Sequence, residues 1–240
     1  MTLPSSRLLV LLALCACGAR EEGTQVHLDL DFQPSRETRT EGTTREFRNA
    51  QGDLIRLRRA HVTLSSVELL PCQTISAWRW LSWLSPIGTA EAHSEGSPRK
   101  LGTPYVTSPG LADGERLRLG TLRPAPGSYC RAHLLFSPAD ADAEGLTARP
   151  DMEGKTLSLE GEWLPADGGP ARPFHWETAG VMNAEVTLEG LTLSPDALEA
   201  SRVVRLAYDR WLDGVDLTAS DDATVEQILR NVAGAVTVPP

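Results

Sequence analysis

PGSYCRAHLLFSPADADAEGLTARPD, residues Pro126–Asp151, runs a strand pattern straight into a loop of alternating carboxylates. Cys130, Ala132, Leu134 and Phe136 fall on one face of a period-2 element, with Arg131 and His133 on the other. The stretches on either side have the same alternation. Val26, Leu28, Leu30 and Phe32 alternate with His27, Asp29 and Asp31. Leu54–Arg58, His61–Leu70, Arg116–Leu122, Thr156–Leu164, Pro173–Thr178, Glu185–Leu193 and Arg202–Tyr208 are further strand candidates. In His61–Leu70 the apolar phase changes from Val62 and Leu64 to Val67 and Leu69, which predicts a bulge near Ser65-Ser66.

Between these strands, Pro34–Thr44 reads as a charged loop, Phe47–Asp53 as a turn, and Thr89–Gly114 as a long excursion that carries His93. Trp211–Asp216 is a turn-like return. Ala223–Val232 places Val225, Ile228, Leu229 and Val232 on one helical face, with Ser220, Asp221 and Asp222 as cap candidates. Many short strands and one late helix predict an all-β chain: an antiparallel β-sandwich, immunoglobulin-like or related, with one short C-terminal helix.

The first residues belong to targeting rather than to the fold. Arg7 precedes the apolar run Leu8–Leu14, which is too short to span a bilayer, and small residues follow. Leu14-Cys15-Ala16-Cys17-Gly18 resembles a bacterial lipobox, which makes residues 1–16 a signal peptide, Cys17 the lipidated N-terminus and residues 17–24 a tether. Gly18 after the acylated cysteine favours an outer-membrane lipoprotein, periplasmic or surface-facing. Residues 25–240 then form a single domain. Acidic residues outnumber basic ones, 32 to 23, which disfavours nucleic acid as a partner.

Cys72 and Cys130 remain once the leader and the lipid site are set aside. In an oxidising envelope two such cysteines form a disulfide worth about 4 kcal/mol, with a thiolate metal site as the competing reading. The opposed faces of Cys130 and His133 favour a buried disulfide over a Cys-x-x-His metal pair.

Two groups of residues carry metal chemistry. The five histidines are His27, His61, His93, His133 and His175, with Met152 and Met182 as soft ligands. Imidazole with thioether suits copper, and imidazole with carboxylate suits zinc. The other group is Asp140, Asp142 and Glu144 with Gly145 and then Asp151, spaced like the twelve-residue calcium loop. Pro138 and Pro150 exclude the flanking helices of an EF-hand, so the alternative is an acidic turn after a strand. Trp78, Trp80 and Trp83 cluster within Ile75–Ile87, either as a flap packed on the sandwich or as an aromatic patch facing a membrane or ligand. No nucleophile elbow, His-Glu-x-x-His or phosphate loop is present, and no reaction is indicated.

FRNAQGDLIRLRRAHVTLSSVELLPC (Phe47–Cys72), APGSYCRAHLLFS (Ala125–Ser137) and WLDGVDL (Trp211–Leu217) together resemble the MbnP-like family of exported or lipid-anchored β-sandwich proteins associated with copper handling. The resemblance implies His61 and His133 as strand histidines at a metal site and Cys72 and Cys130 as the structural pair. His93 and His175 join the candidate ligands from composition. The sequence thus describes a cell-envelope lipoprotein acting as a non-catalytic binding protein, with copper the first ligand to test. The rival is a structural or adhesive surface lipoprotein that binds protein or glycan, and a calcium-stabilised domain fits either.

Overall fold

Val26, Leu28, Leu30 and Phe32 are at most 2% exposed, so the alternation that defines β1 (Gln25–Phe32) buries one complete face. The computed structural model describes residues 23–72, 97–110 and 112–240. After β1 come β2 (Thr38–Glu41), β3 (Thr44–Arg48), β4 (Leu54–Pro71), β5 (Lys100–Leu101), β6 (Tyr105–Thr107) and β7 (Leu117–Leu122). They are followed by β8 (Gly127–Phe136), β9 (Leu157–Leu164), β10 (Arg172–Thr178), β11 (Met182–Leu193), β12 (Glu199–Leu206), α1 (Asp222–Gly234) and β13 (Val236–Thr237). The chain is an all-β sandwich with a short C-terminal helix.

The smaller sheet has the order β13-β12-β1-β7. Its β1–β12 pair is parallel, a departure from the expected all-antiparallel arrangement. These two strands meet from opposite ends of the chain, joined through the whole of the other sheet, so no hairpin dictates their direction.

The larger sheet is organised on β4, whose two edges carry different neighbours along its length. One edge binds β3, then β6, then β5; the other binds β9 and then β8, with β10 and β11 outside them. Between Leu54 and Leu69 of β4, register shifts occur at two points, between Leu57 and Arg59 and between Leu64 and Ser66. Each inserts one residue, so the core-facing set moves from Ile55 and Leu57 to Ala60, Val62 and Leu64 and then to Val67 and Leu69. The second shift is the bulge expected at Ser65-Ser66. The first joins what reads as two strands into one of 18 residues.

Two expected loops contain strands. β2 and β3 form a hairpin around Gly42, with φ of 60°. β2 is mostly exposed, so no apolar alternation marks it. Within Thr89–Gly114, β5 and β6 are too short to show a period. The end of the expected tether is already packed, since Thr24 is 2% exposed and its hydroxyl donates to the Pro124 carbonyl.

Cys72 and Cys130 are joined, with Cα atoms 4.8 Å apart. The bridge is half-buried rather than buried. A register shift between Leu70 and Pro71 leaves Cys130 out of the ladder and out of the apolar row of Ala132, Leu134 and Phe136. Helix α1 is capped by Asp221, whose carboxylate accepts the Thr224 N–H at 2.9 Å, and it buries Val225, Ile228, Leu229 and Val232. Asn231 in α1 donates to the carbonyls of Trp211 and Asp213 at 3.0 and 2.7 Å, which fixes the return segment beneath the helix.

Candidate functional site

The middle of β4 is covered on its outer face by the acidic segment after β8. Thr63 is tied to that segment twice, its N–H donating to Thr156 O at 2.8 Å and its hydroxyl to Lys155 O at 2.9 Å. Ala139 and Gly154 close the base of the segment, and Val106 of β6 donates to Glu144 O at 2.8 Å. Beneath lies a small second core of Val106, Ala139, Ala143, Leu146 and Met152. Gly145 sits at φ +83°, and a Cβ there would run into the Val106 carbonyl, so glycine is required for this lid to approach the sheet.

His61 lies under the edge of that lid at 2% exposure, opposite Ser158 of β9. Its Nδ1 is buried and has no hydrogen-bond partner among the described residues. Burial, reinforced by the Arg149 guanidinium and more weakly by Arg59, pulls its pKa from 6.5 down to about 4, against an opposing effect of Asp151. The ring is therefore neutral at pH 7.

Beside His61 opens a cavity of about 530 Å³, lined by arginines at positions 45, 58, 59 and 149, with Ser108 and Asp151. Its size lies in the range of small-molecule sites, roughly 300–1,000 Å³. Arg45 is 5% exposed and builds the wall, donating to Pro109 O through Nε and Nη2 at 3.2 and 3.0 Å and standing 3.7 Å from Asp113. Arg58 and Arg59 follow one another at the first bulge of β4. They pair with Glu162 and Glu160 of β9 at 2.9 and 3.4 Å, which leaves over half of each side chain exposed. Arg149 stands on the lid, and the one hydrogen bond of its side chain among the described residues goes to the neighbouring Ala148 carbonyl at 2.8 Å. Four of the 23 basic residues of an acidic chain thus converge on one concavity.

The expected ligands do not assemble into one centre. His61 pairs across β4 with Ser158, whereas His133 on β8 pairs with Glu68 of β4 and Glu185 of β11. From His61 to Glu68 is a run of roughly 23 Å along the strand, so the two histidines cannot share an ion. His175 is exposed on β10, with Nε2 3.4 Å from Glu177. His27 Nδ1 meets Thr121 Oγ1 at 2.9 Å and Arg118 Nη2 at 2.8 Å on the smaller sheet. His93, Cys17 and the Trp78, Trp80 and Trp83 cluster lie outside the described residues.

The candidate calcium ligands diverge in the same way. Asp140 Oδ1 accepts the Asp142 N–H at 3.2 Å, and the Glu144 carboxylate turns to Tyr105, pushing that hydroxyl up to about 12. Asp151 faces the cavity. Met152 is fully buried in the lid core, and Met182 packs against the main core. Among the described residues no three His, Cys, Asp or Glu side chains are grouped to hold a metal ion.

The arginine cavity was missed from sequence. Its members lie in four separate segments, and the Arg58-Arg59 pair reads simply as an exposed edge until the bulge turns both side chains to one side. Comparison with protein-family models, with curated proteins and with solved structures finds no match.

Proposed function

We propose that this protein is an exported, lipid-anchored, non-catalytic binding protein of the cell envelope whose ligand site is the cavity over His61. The observation that carries the reading is the cavity itself: a ligand-sized concavity between rigid β4 and a lid clamped by backbone hydrogen bonds. The Cys72–Cys130 bridge suits an oxidising compartment, in keeping with the leader and the lipidation motif at Cys17. Among the described residues His61 has no partner at Nδ1 to orient it as a general base, which argues for holding a ligand rather than transforming one. The likeness of three segments to the MbnP-like family fits an exported binding role. Its copper chemistry finds less support, because His61 and His133 lie too far apart along β4 to share an ion.

The test is an amide NMR titration of the mature domain, disulfide intact, with citrate, inorganic phosphate, glucose, zinc and calcium as separate probes. Shifts centred on His61, Ser108 and Arg149 with any of these support the reading. A cavity unmoved by all five contradicts it. A Cys17→Ser variant that leaves the membrane fraction supports the anchor, and one that stays membrane-bound argues against it.

A further inference from the structure

We infer that the cavity over His61 is a site for a small oxyanion, a carboxylate or phosphate, gripped between Arg149 on the lid and Arg58 and Arg59 on the first bulge of β4. The inference rests on the cavity being the ligand site. The lining carries four guanidiniums and one carboxylate, Asp151, in a chain whose overall charge is −9. Arg45, Arg58 and Arg59 are paired with Asp113, Glu162 and Glu160 at the margin of the cavity, so Arg149 is the lining guanidinium with no ion-pair partner among the described residues, while Arg58 and Arg59 keep over half of each side chain exposed.

The geometry divides the work. Arg45 is held by Pro109, Thr40 and Asp113 and stacks 6.0 Å over Tyr208, so it supplies a fixed positive wall. Arg58 and Arg59 are tethered to Glu162 and Glu160 but remain over half exposed at the side chain. The Arg149 guanidinium, on the lid, bonds only to the neighbouring Ala148 carbonyl and has no carboxylate within ion-pair distance among the described residues. Guanidiniums brought to one cavity from two segments suit the fork-to-fork recognition of carboxylates and phosphates. Ser108 Oγ accepts the Gly110 N–H at 3.2 Å, which leaves its own O–H to donate. His61 closes the floor as a neutral ring. A volume of about 530 Å³ exceeds what one inorganic phosphate fills and suits a small polyanion.

The test is calorimetric titration of the mature domain with citrate and with inorganic phosphate at low salt, repeated on Arg149→Gln, Arg59→Gln and the charge-matched Arg131→Gln. Arg131 pairs with Glu185 on another part of the sheet. The expected result is binding of citrate or phosphate that weakens about tenfold or more in Arg149→Gln and in Arg59→Gln and is unchanged in Arg131→Gln. Equal weakening in all three variants means diffuse charge and overturns the site. Adherence to phosphatidylglycerol vesicles without binding of either free anion also overturns it, in favour of a membrane surface. If glucose or zinc perturbs the cavity while neither anion binds, the ligand class is wrong and the binding-protein reading stands. If no probe reaches the cavity, both fall.

Discussion

Acidification should cost this fold stability through His61. The folded ring faces Arg149 and Arg59, with Asp151 as the nearest opposing charge, and is 2% exposed, so its pKa falls from 6.5 to about 4. Between those values the unfolded chain takes up a proton that the folded chain refuses, so stability falls with pH through that window and levels off below it. At about 1.4 kcal/mol per pH unit the full interval is worth about 3 kcal/mol, and the part between pH 7 and pH 5 about 2 kcal/mol. That is a sizeable share of the 5–15 kcal/mol typical of a domain. The assay is urea unfolding, disulfide intact, at steps from pH 7.5 to 4.5 for the wild type and His61→Gln, which cannot titrate. The exposed or half-buried histidines at 27, 133 and 175 occur in both proteins and cancel. The stability of the wild type relative to the variant should drop by about 2 kcal/mol between pH 7 and pH 5. Two parallel curves would refute the buried, neutral His61.

Three other outcomes follow from the fold. Replacing Cys72 and Cys130 by serine opens a loop with a sequence separation of 58 and should lower stability by about 4 kcal/mol, read as a fall in the denaturant midpoint. Gly161→Ala should cost about 3 kcal/mol or prevent folding, because a Cβ there collides with the Arg56 carbonyl across the ladder and comes within 2.7 Å of the Phe174 ring. An unchanged melting temperature would show that β9 packs differently. Asp221→Ala removes the cap of α1 and should cost about 1 kcal/mol, with loss of helical circular dichroism on heating beginning earlier.

The fold was legible wherever one face of a strand is buried and the other is wet. β1, β8 and β9 show that alternation, and α1 shows the helical counterpart with its cap. It was illegible where that asymmetry is missing. β2 is exposed on both faces, β5 and β6 are only two and three residues long, and the middle of β4 is buried on both faces because the lid covers it. The same burial explains the site. His61 was singled out as a strand histidine, but its surroundings are set by a lid from residues 139–156 and by guanidiniums from β3, β4 and the lid. The acidic run at Asp140 has the spacing of a calcium loop, but its side chains serve other ends. Its Gly145 is explained by the approach to Val106, and its carboxylates act in the turn, beside Tyr105 and at the cavity wall.

The most direct measurement of the central claim is the titration of the His61 imidazole by ¹H–¹⁵N NMR in the absence and presence of saturating citrate. An anion held beside the ring stabilises its protonated form, so the account predicts a midpoint near 4 that moves upward when citrate is bound. A midpoint that does not change with citrate would contradict an anion site over His61.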